Sequence, residues 1–140
     1  MTAQNSPVSP VTWLEDRVLL IDQNRLPQEY STVEISRSDD MAEAIKTMIV
    51  RGGPAIGVAA AYGIYLGARE IETADRTEFL TKLEKVGDLL RSTRPTAVNL
   101  FWAISRMLKT ADRAIGSVEH IQKTLLEMAK TIQAEDLQTC

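Results

Sequence analysis

The sequence predicts an α+β fold, a small N-terminal antiparallel β-meander packed on a mostly helical bundle. β-Branched and aromatic residues gather in three short runs before residue 36. From residue 38 onward the apolar residues recur at helical spacing instead. Size completes the picture: 140 residues, 44% apolar and 25% charged, make an ordinary globular chain that buries roughly two-thirds of its unfolded surface. The expected organisation is one unit over 1–140, with the meander at about 11–36 and the helices at about 38–138.

Residues 1–10, with Pro7 and Pro10, read as a loose lead-in. Val11-Thr12-Trp13, Arg17 to Asp22 and Tyr30 to Ile35 are the three strands, with turns at Glu15-Asp16 and at Asn24 to Pro27. Three short strands cannot bury both faces, so one face must rest on the helices. Ser38 is the expected N-cap of a helix reaching about Val50, with Asp39 and Asp40 at its positive end and Met41, Ala44, Ile45, Met48 and Ile49 on one face. Gly52-Gly53-Pro54 breaks it, and Pro54 opens a second helix over about 54–68. That helix is apolar nearly all round and belongs at the centre of the core. Its Gly57, Gly63 and Gly67 each cost about 1 kcal/mol relative to alanine, so another element must come close there.

A polar connector from Glu70 to Arg76 leads to a helix at about 77–92 with Phe79, Leu83, Val86 and Leu90 on one face. After Arg94-Pro95-Thr96, with Thr96 the expected cap, comes a stripe of Ala97, Phe101, Ile104, Leu108, Ala111 and Ile115. Gly116-Ser117 ends that helix and caps the last, striped by Val118, Ile121, Leu125, Met128 and Ile132. Three such stripes predict an antiparallel bundle behind the meander.

Composition excludes several functions. A net charge of −3 offers no general attraction to nucleic acid or to an anionic membrane. One cysteine, Cys140, and one histidine, His120, make neither a disulfide nor a zinc cluster. The first residues lack the features of a secretory signal, and the apolar run from Pro54 to Ala68 is short of the ~18 residues of a membrane span. A reducing, cytoplasmic setting is the expectation.

Few residues offer chemistry. His120 reads as a helix-surface side chain, Asp39-Asp40 as helix-start acids, and Cys140 as a spare thiol without a base beside it. The informative segment is Arg51-Gly52-Gly53-Pro54-Ala55-Ile56-Gly57. Here a helix start offers free N–H groups, two glycines allow close backbone approach, and Arg51 can grip a phosphate with two hydrogen bonds. A tight turn with a solvated arginine is the competing reading. Thr93-Arg94-Pro95-Thr96 repeats the arrangement of an arginine ahead of a helix start. Brought together, the two would make a better anion site than either alone.

These segments resemble the methylthioribose-1-phosphate isomerase family. The resemblance rests on Arg51 to Gly57 with its Ala-rich helix, on Arg94-Pro95-Thr96-Ala97-Val98-Asn99-Leu100, and on the opening Val11-Thr12-Trp13 through Gln23 and Leu26-Pro27. The wider superfamily includes ribose-1,5-bisphosphate isomerases and the regulatory subunits of the initiation factor 2B complex. The resemblance implies conversion of 5-methylthioribose 1-phosphate to its ketose isomer in methionine salvage, with no metal or redox cofactor. It assigns the substrate phosphate to Arg51, Gly52, Gly53 and Arg94; Gly53 stands where alanine is common in the family. It places the catalytic cysteine and aspartate in a Rossmann-like C-terminal domain, to which nothing here corresponds, so no catalytic residue falls in this chain. The chain then reads as an N-terminal portion, inactive alone, whose partners are the sugar phosphate, the C-terminal domain and, at full length, a second copy in a homodimer. A non-catalytic initiation-factor-like subunit, a ribose-1,5-bisphosphate isomerase-like enzyme and a plain helical interaction module are the alternatives.

Overall fold

The computed structural model describes residues 10–22, 31–50 and 52–139. Strands β1 (Val11–Trp13), β2 (Val18–Ile21) and β3 (Thr32–Ile35) form an antiparallel meander in the order β1-β2-β3. Val11 lies opposite Leu20, which lies opposite Val33; Trp13 lies opposite Val18, which lies opposite Ile35. Alternation therefore puts these side chains on one face, and Val11, Val18, Leu20 and Ile35 are buried. The other face mixes Leu19 and the buried Ile21 with Thr12, Thr32 and Glu34, and Arg17 is paired to Glu34 at 2.8 Å. β2 starts and ends one residue inside its expected limits. The expected turn at Asn24 to Pro27, and Tyr30, lie outside the described residues.

Helix α1 (Ser38–Lys46) stops four residues short of the expected Val50. Its end is a Schellman turn: the Ile49 N–H donates to the Ala44 carbonyl and the Met48 N–H to that of Ile45. Met48 occupies the left-handed position usually given to glycine, with φ 68°. This costs about 1–2 kcal/mol and turns Met48, expected in the apolar stripe, outward to the surface. Ser38 is not the N-cap. That residue is Arg37, while Ser38 is buried inside the first turn.

Helix α2 (Gly53–Glu70) is the central element, buried on every side from Ile56 to Ala68 apart from Tyr65. It touches the sheet at β1 and all four other helices. The expected close approach is seen at Gly67, where a β-carbon would stand 2.5 Å from Val86 Cγ1. Tyr62, fully buried, stacks on Trp13 at 5.5 Å and donates to Gln133 Oε1 at 2.6 Å. Gln133 in turn donates to the Val11 carbonyl at 2.7 Å, joining sheet, central helix and last helix.

Helix α3 (Arg76–Arg91) is capped by Asp75, whose carboxylate accepts the Glu78 N–H. Helix α4 (Val98–Arg113) begins after Ala97, so Thr96 does not cap it. Its buried residues are Leu100, Ala103, Ile104, Met107 and Ala111. The buried stripe is turned by about one position from the expected one: Phe101 lies at the flank, and Ile115 is beyond the helix end and exposed. The cause is that α4 packs on α2, α3 and α5 together, which buries a wider and differently centred face than one stripe describes. Arg76 of α3 closes the C-terminal end of α4, donating to the carbonyls of Ala114 and Asp112. Helix α5 (Val118–Thr139) starts with the Ser117 hydroxyl accepting the His120 N–H. No helix among the described residues is long and apolar enough to cross a membrane.

Candidate functional site

The start of α2 is shaped by its glycines. Gly52, the N-cap, has φ 94°, a conformation L side chains rarely adopt, and its carbonyl accepts the Ile56 N–H at 3.0 Å. Gly53 and Pro54 follow, and all three residues are exposed. A helix end of this kind presents its first N–H groups and its positive dipole outward. Pro54 contributes no N–H, so the small neighbours Gly52 and Gly53 carry the backbone donation. Arg51 lies outside the described residues.

The start of α4 lies directly against that of α2. A β-carbon on Gly53 would come within 2.5 Å of the Asn99 amide nitrogen, and one on Gly57 within 3.3 Å of the Asn99 carbonyl oxygen. Two helix starts, far apart in sequence, are thus brought together. Arg94 sits in the turn leading into α4, its carbonyl accepting the Ala97 N–H at 3.0 Å. Its side chain is half-buried, and Nη1 is fully buried without a hydrogen-bond partner among the described residues. A guanidinium N–H is a strong donor, and leaving one buried and unpaired is unfavourable by about 1–3 kcal/mol. Such an atom is suited to receive an acceptor that arrives from outside, and an anion is the best of these.

An open cavity of about 250 Å³ adjoins the two helix starts, walled by Pro54, Gly57, Val58, Asn99, Trp102 and Ile132. Glu135 and Asp136 of α5 also line it. Arg106 holds the Glu135 carboxylate with two hydrogen bonds of 2.6 and 2.8 Å, and its guanidinium lies 5.2 Å from the Trp102 ring centre. This pairing keeps the Glu135 carboxyl below the usual carboxylate range.

Sequence reasoning singled out the glycine turn and Arg94 but not Asn99 as the contact between helices, nor Trp102 and Glu135. Asn99 lies within the Arg94 to Leu100 motif, so a local signal for it was present. The Arg106–Glu135 pair joins residues 29 apart and has no local signal. His120 is exposed on α5 and Asp39 and Asp40 are exposed in the first turn of α1, as expected, while Cys140 lies outside the described residues. No three His, Cys, Asp or Glu side chains among the described residues are grouped as a metal site requires.

Comparison with known proteins gives a consistent set of likenesses. A profile of the Initiation factor 2 subunit family matches residues 49–140. The chain is 70% identical over 133 residues to a methylthioribose-1-phosphate isomerase of Trichormus variabilis, covering 95% of this chain and 38% of that protein. It is 67% identical to the protein of the same name from Nostoc punctiforme, over all of this chain and 40% of the relative. Among solved structures, the 5-methylthioribose 1-phosphate isomerase of Pyrococcus horikoshii superposes with a TM-score of 0.87 at 36% identity, over 96% of this chain and 39% of that one. The delta subunit of translation initiation factor eIF-2B from A. fulgidus superposes with a TM-score of 0.86 at 43% identity, over 94% and 38%. The chain therefore spans about two-fifths of the length of the relatives it matches.

Proposed function

Because the chain belongs to the Initiation factor 2 subunit family, we propose that it forms the substrate-phosphate end of an aldose–ketose isomerase acting on 5-methylthioribose 1-phosphate. The observation that carries this reading is the meeting of the α2 and α4 starts, with the Arg94 Nη1 buried and, among the described residues, unpaired in the turn that enters α4. The two solved structures are alike in fold to within 0.01 in TM-score, so fold does not choose between an isomerase and an initiation-factor subunit. Identity of 70% to an isomerase over 95% of this chain favours the enzyme.

On this reading the chain's task is binding and orientation. The 1-phosphate prevents the sugar ring from opening by itself, so the isomerase must hold the phosphate while hydrogen moves between carbons 1 and 2. Gly52 and Gly53 donate from the backbone, Arg94 donates from the turn before α4, and Arg51 adds a second permanent charge. On the same reading the groups that move the hydrogen belong to C-terminal sequence of the kind the longer relatives possess, and the 140-residue chain alone is expected to show no turnover.

Titration of the chain with 5-methylthioribose 1-phosphate, followed by NMR, tests the proposal. Shifts at Gly52, Gly53 and Asn99 that vanish in Arg51→Ala and Arg94→Ala are the expected result. Unmoved resonances at millimolar ligand would refute a preformed phosphate site.

A further inference from the structure

A second hollow lies between the outer faces of α4 and α5. Its volume is about 550 Å³, within the range of small-molecule sites. Arg106, Lys109 and Arg113 line it, and among the described residues no carboxylate does. Positive charge is thus concentrated here in a chain whose net charge is −3. Trp102 borders both this hollow and the cavity beside the helix starts, with Arg106 on this side and Glu135 on the other. Lys109 and Arg113 lie about 15 and 21 Å further along α4 than Asn99. The hollow is therefore separate from the start of α2.

The three cations differ in what holds them. Arg106 gives two N–H groups to Glu135. Lys109 and Arg113 have no ion pair among the described residues, whereas Arg17, Arg37, Lys82, Arg91 and Lys130 each meet a carboxylate. Lys109 also borders a cleft with Glu84 and Asp112 and pairs with neither. A cation in the last turn of a helix ordinarily serves the free carbonyls there. On α4, Arg76 already donates to those of Asp112 and Ala114. Arg113 is left for a ligand, and the Arg76 charge behind Ala114 offsets the negative helix end that would repel an anion.

Hydroxyl groups complete the lining. That of Ser105, one turn before Lys109, has no partner among the described residues and is free to donate. Thr110 and Thr124 donate theirs to the carbonyls of Arg106 and His120, so their oxygens can only accept. We propose that this hollow binds a chain of two or more phosphate groups, gripped by the Arg113 fork, the Lys109 ammonium and the Ser105 hydroxyl. These donors follow one another at about 6 Å per helical turn. A lone phosphate reaches part of the row, and a phosphate chain reaches more of it. The proposal does not depend on the sugar-phosphate reading above.

The test titrates the 140-residue chain at low salt with inorganic phosphate, tripolyphosphate, ATP and tetraglutamate, followed by NMR. Tripolyphosphate is expected to shift the backbone signals of Ser105, Lys109, Arg113 and Thr124. It should bind about fivefold more tightly than phosphate, the return on one further exposed ion pair. Lys109→Ala and Arg113→Ala should each lose about fivefold, and Lys46→Ala on α1 should lose nothing. All three side chains are exposed, so the substitutions spare the fold. Shifts of the Trp102 indole N–H and the Met128 methyl with ATP alone would identify the phosphate chain as part of an organic ligand. Equal binding of ATP and tripolyphosphate without those shifts would identify it as inorganic. Unmoved signals in the hollow at millimolar tripolyphosphate, shifts confined to Gly52 and Gly53, an equal loss in Lys46→Ala, or tighter binding of tetraglutamate would each overturn the assignment.

Discussion

Gly67 of α2 faces Val86 of α3, and alanine at position 67 would place its β-carbon 2.5 Å from Cγ1, 2.8 Å from Cγ2 and 3.1 Å from Cβ of that valine. Rotating the valine cannot clear all three, because its own β-carbon is among them, so the helices must separate. Overpacking of this kind costs about 1–3 kcal/mol. Alanine also gains about 1 kcal/mol of helix propensity over glycine. With two contacts under 3 Å the steric side wins, and Gly67→Ala should destabilise the chain by about 1–2 kcal/mol. That corresponds to a fall of about 3–8 °C in Tm for a chain of this size. Urea denaturation of Gly67→Ala, Val86→Ala and the double variant isolates the clash. With Val86 trimmed to alanine only the β-carbon contact remains, and the Gly67→Ala change should become close to neutral or stabilising. The coupling between the sites should then be about 2 kcal/mol. A single Gly67→Ala variant that is stabilised by the full propensity gain would refute the close approach of α2 and α3.

Two further outcomes rest on burial and on backbone conformation. Burial pushes the Tyr62 hydroxyl up to about 12, so the folded chain keeps this proton where the unfolded chain releases it near its usual value of about 10; stability should fall as pH rises between about 10 and 12. Tyr62→Phe should flatten that fall in alkaline denaturation curves, and an unchanged slope would contradict it. Gly52→Ala forces a side chain into φ 94° with open space around it, so backbone strain alone should cost about 1–3 kcal/mol in denaturant titration, and a neutral variant would show that the turn relaxes.

What was legible in the sequence was what is local. β-Branched runs marked the three strands, and Gly52, Gly53 and Pro54 marked where α2 begins. Helix ends were less legible: α1 stops at a turn where Met48 adopts a conformation that composition assigns to glycine. On α4, Phe101 and Leu100 head two overlapping stripes, and only the presence of three packing partners decides that Leu100 is the buried one. The candidate site divides in the same way. The types of residue at Gly52, Gly53 and Arg94 pointed to an anion, but the meeting of α2 and α4 through Asn99 is a tertiary event. Trp102 sits inside a helical pattern where aromatic residues are ordinarily core, so its exposure had no local sign.

The N-terminus of α1 has a consequence for how the chain opens. Its cap residue, Arg37, makes no side-chain capping bond. Instead Glu70, the last residue of α2, accepts the Ser38 backbone N–H at 2.8 Å and the Ser38 hydroxyl at 3.1 Å. The first turn of α1 is thus completed from 32 positions away. Helix α1 cannot be fully hydrogen-bonded until α2 has formed to its final residue, nor can the last turn of α2 fray without releasing α1. The two helices form one cooperative opening unit, and hydrogen exchange at the α1 start should report on the far end of the central helix.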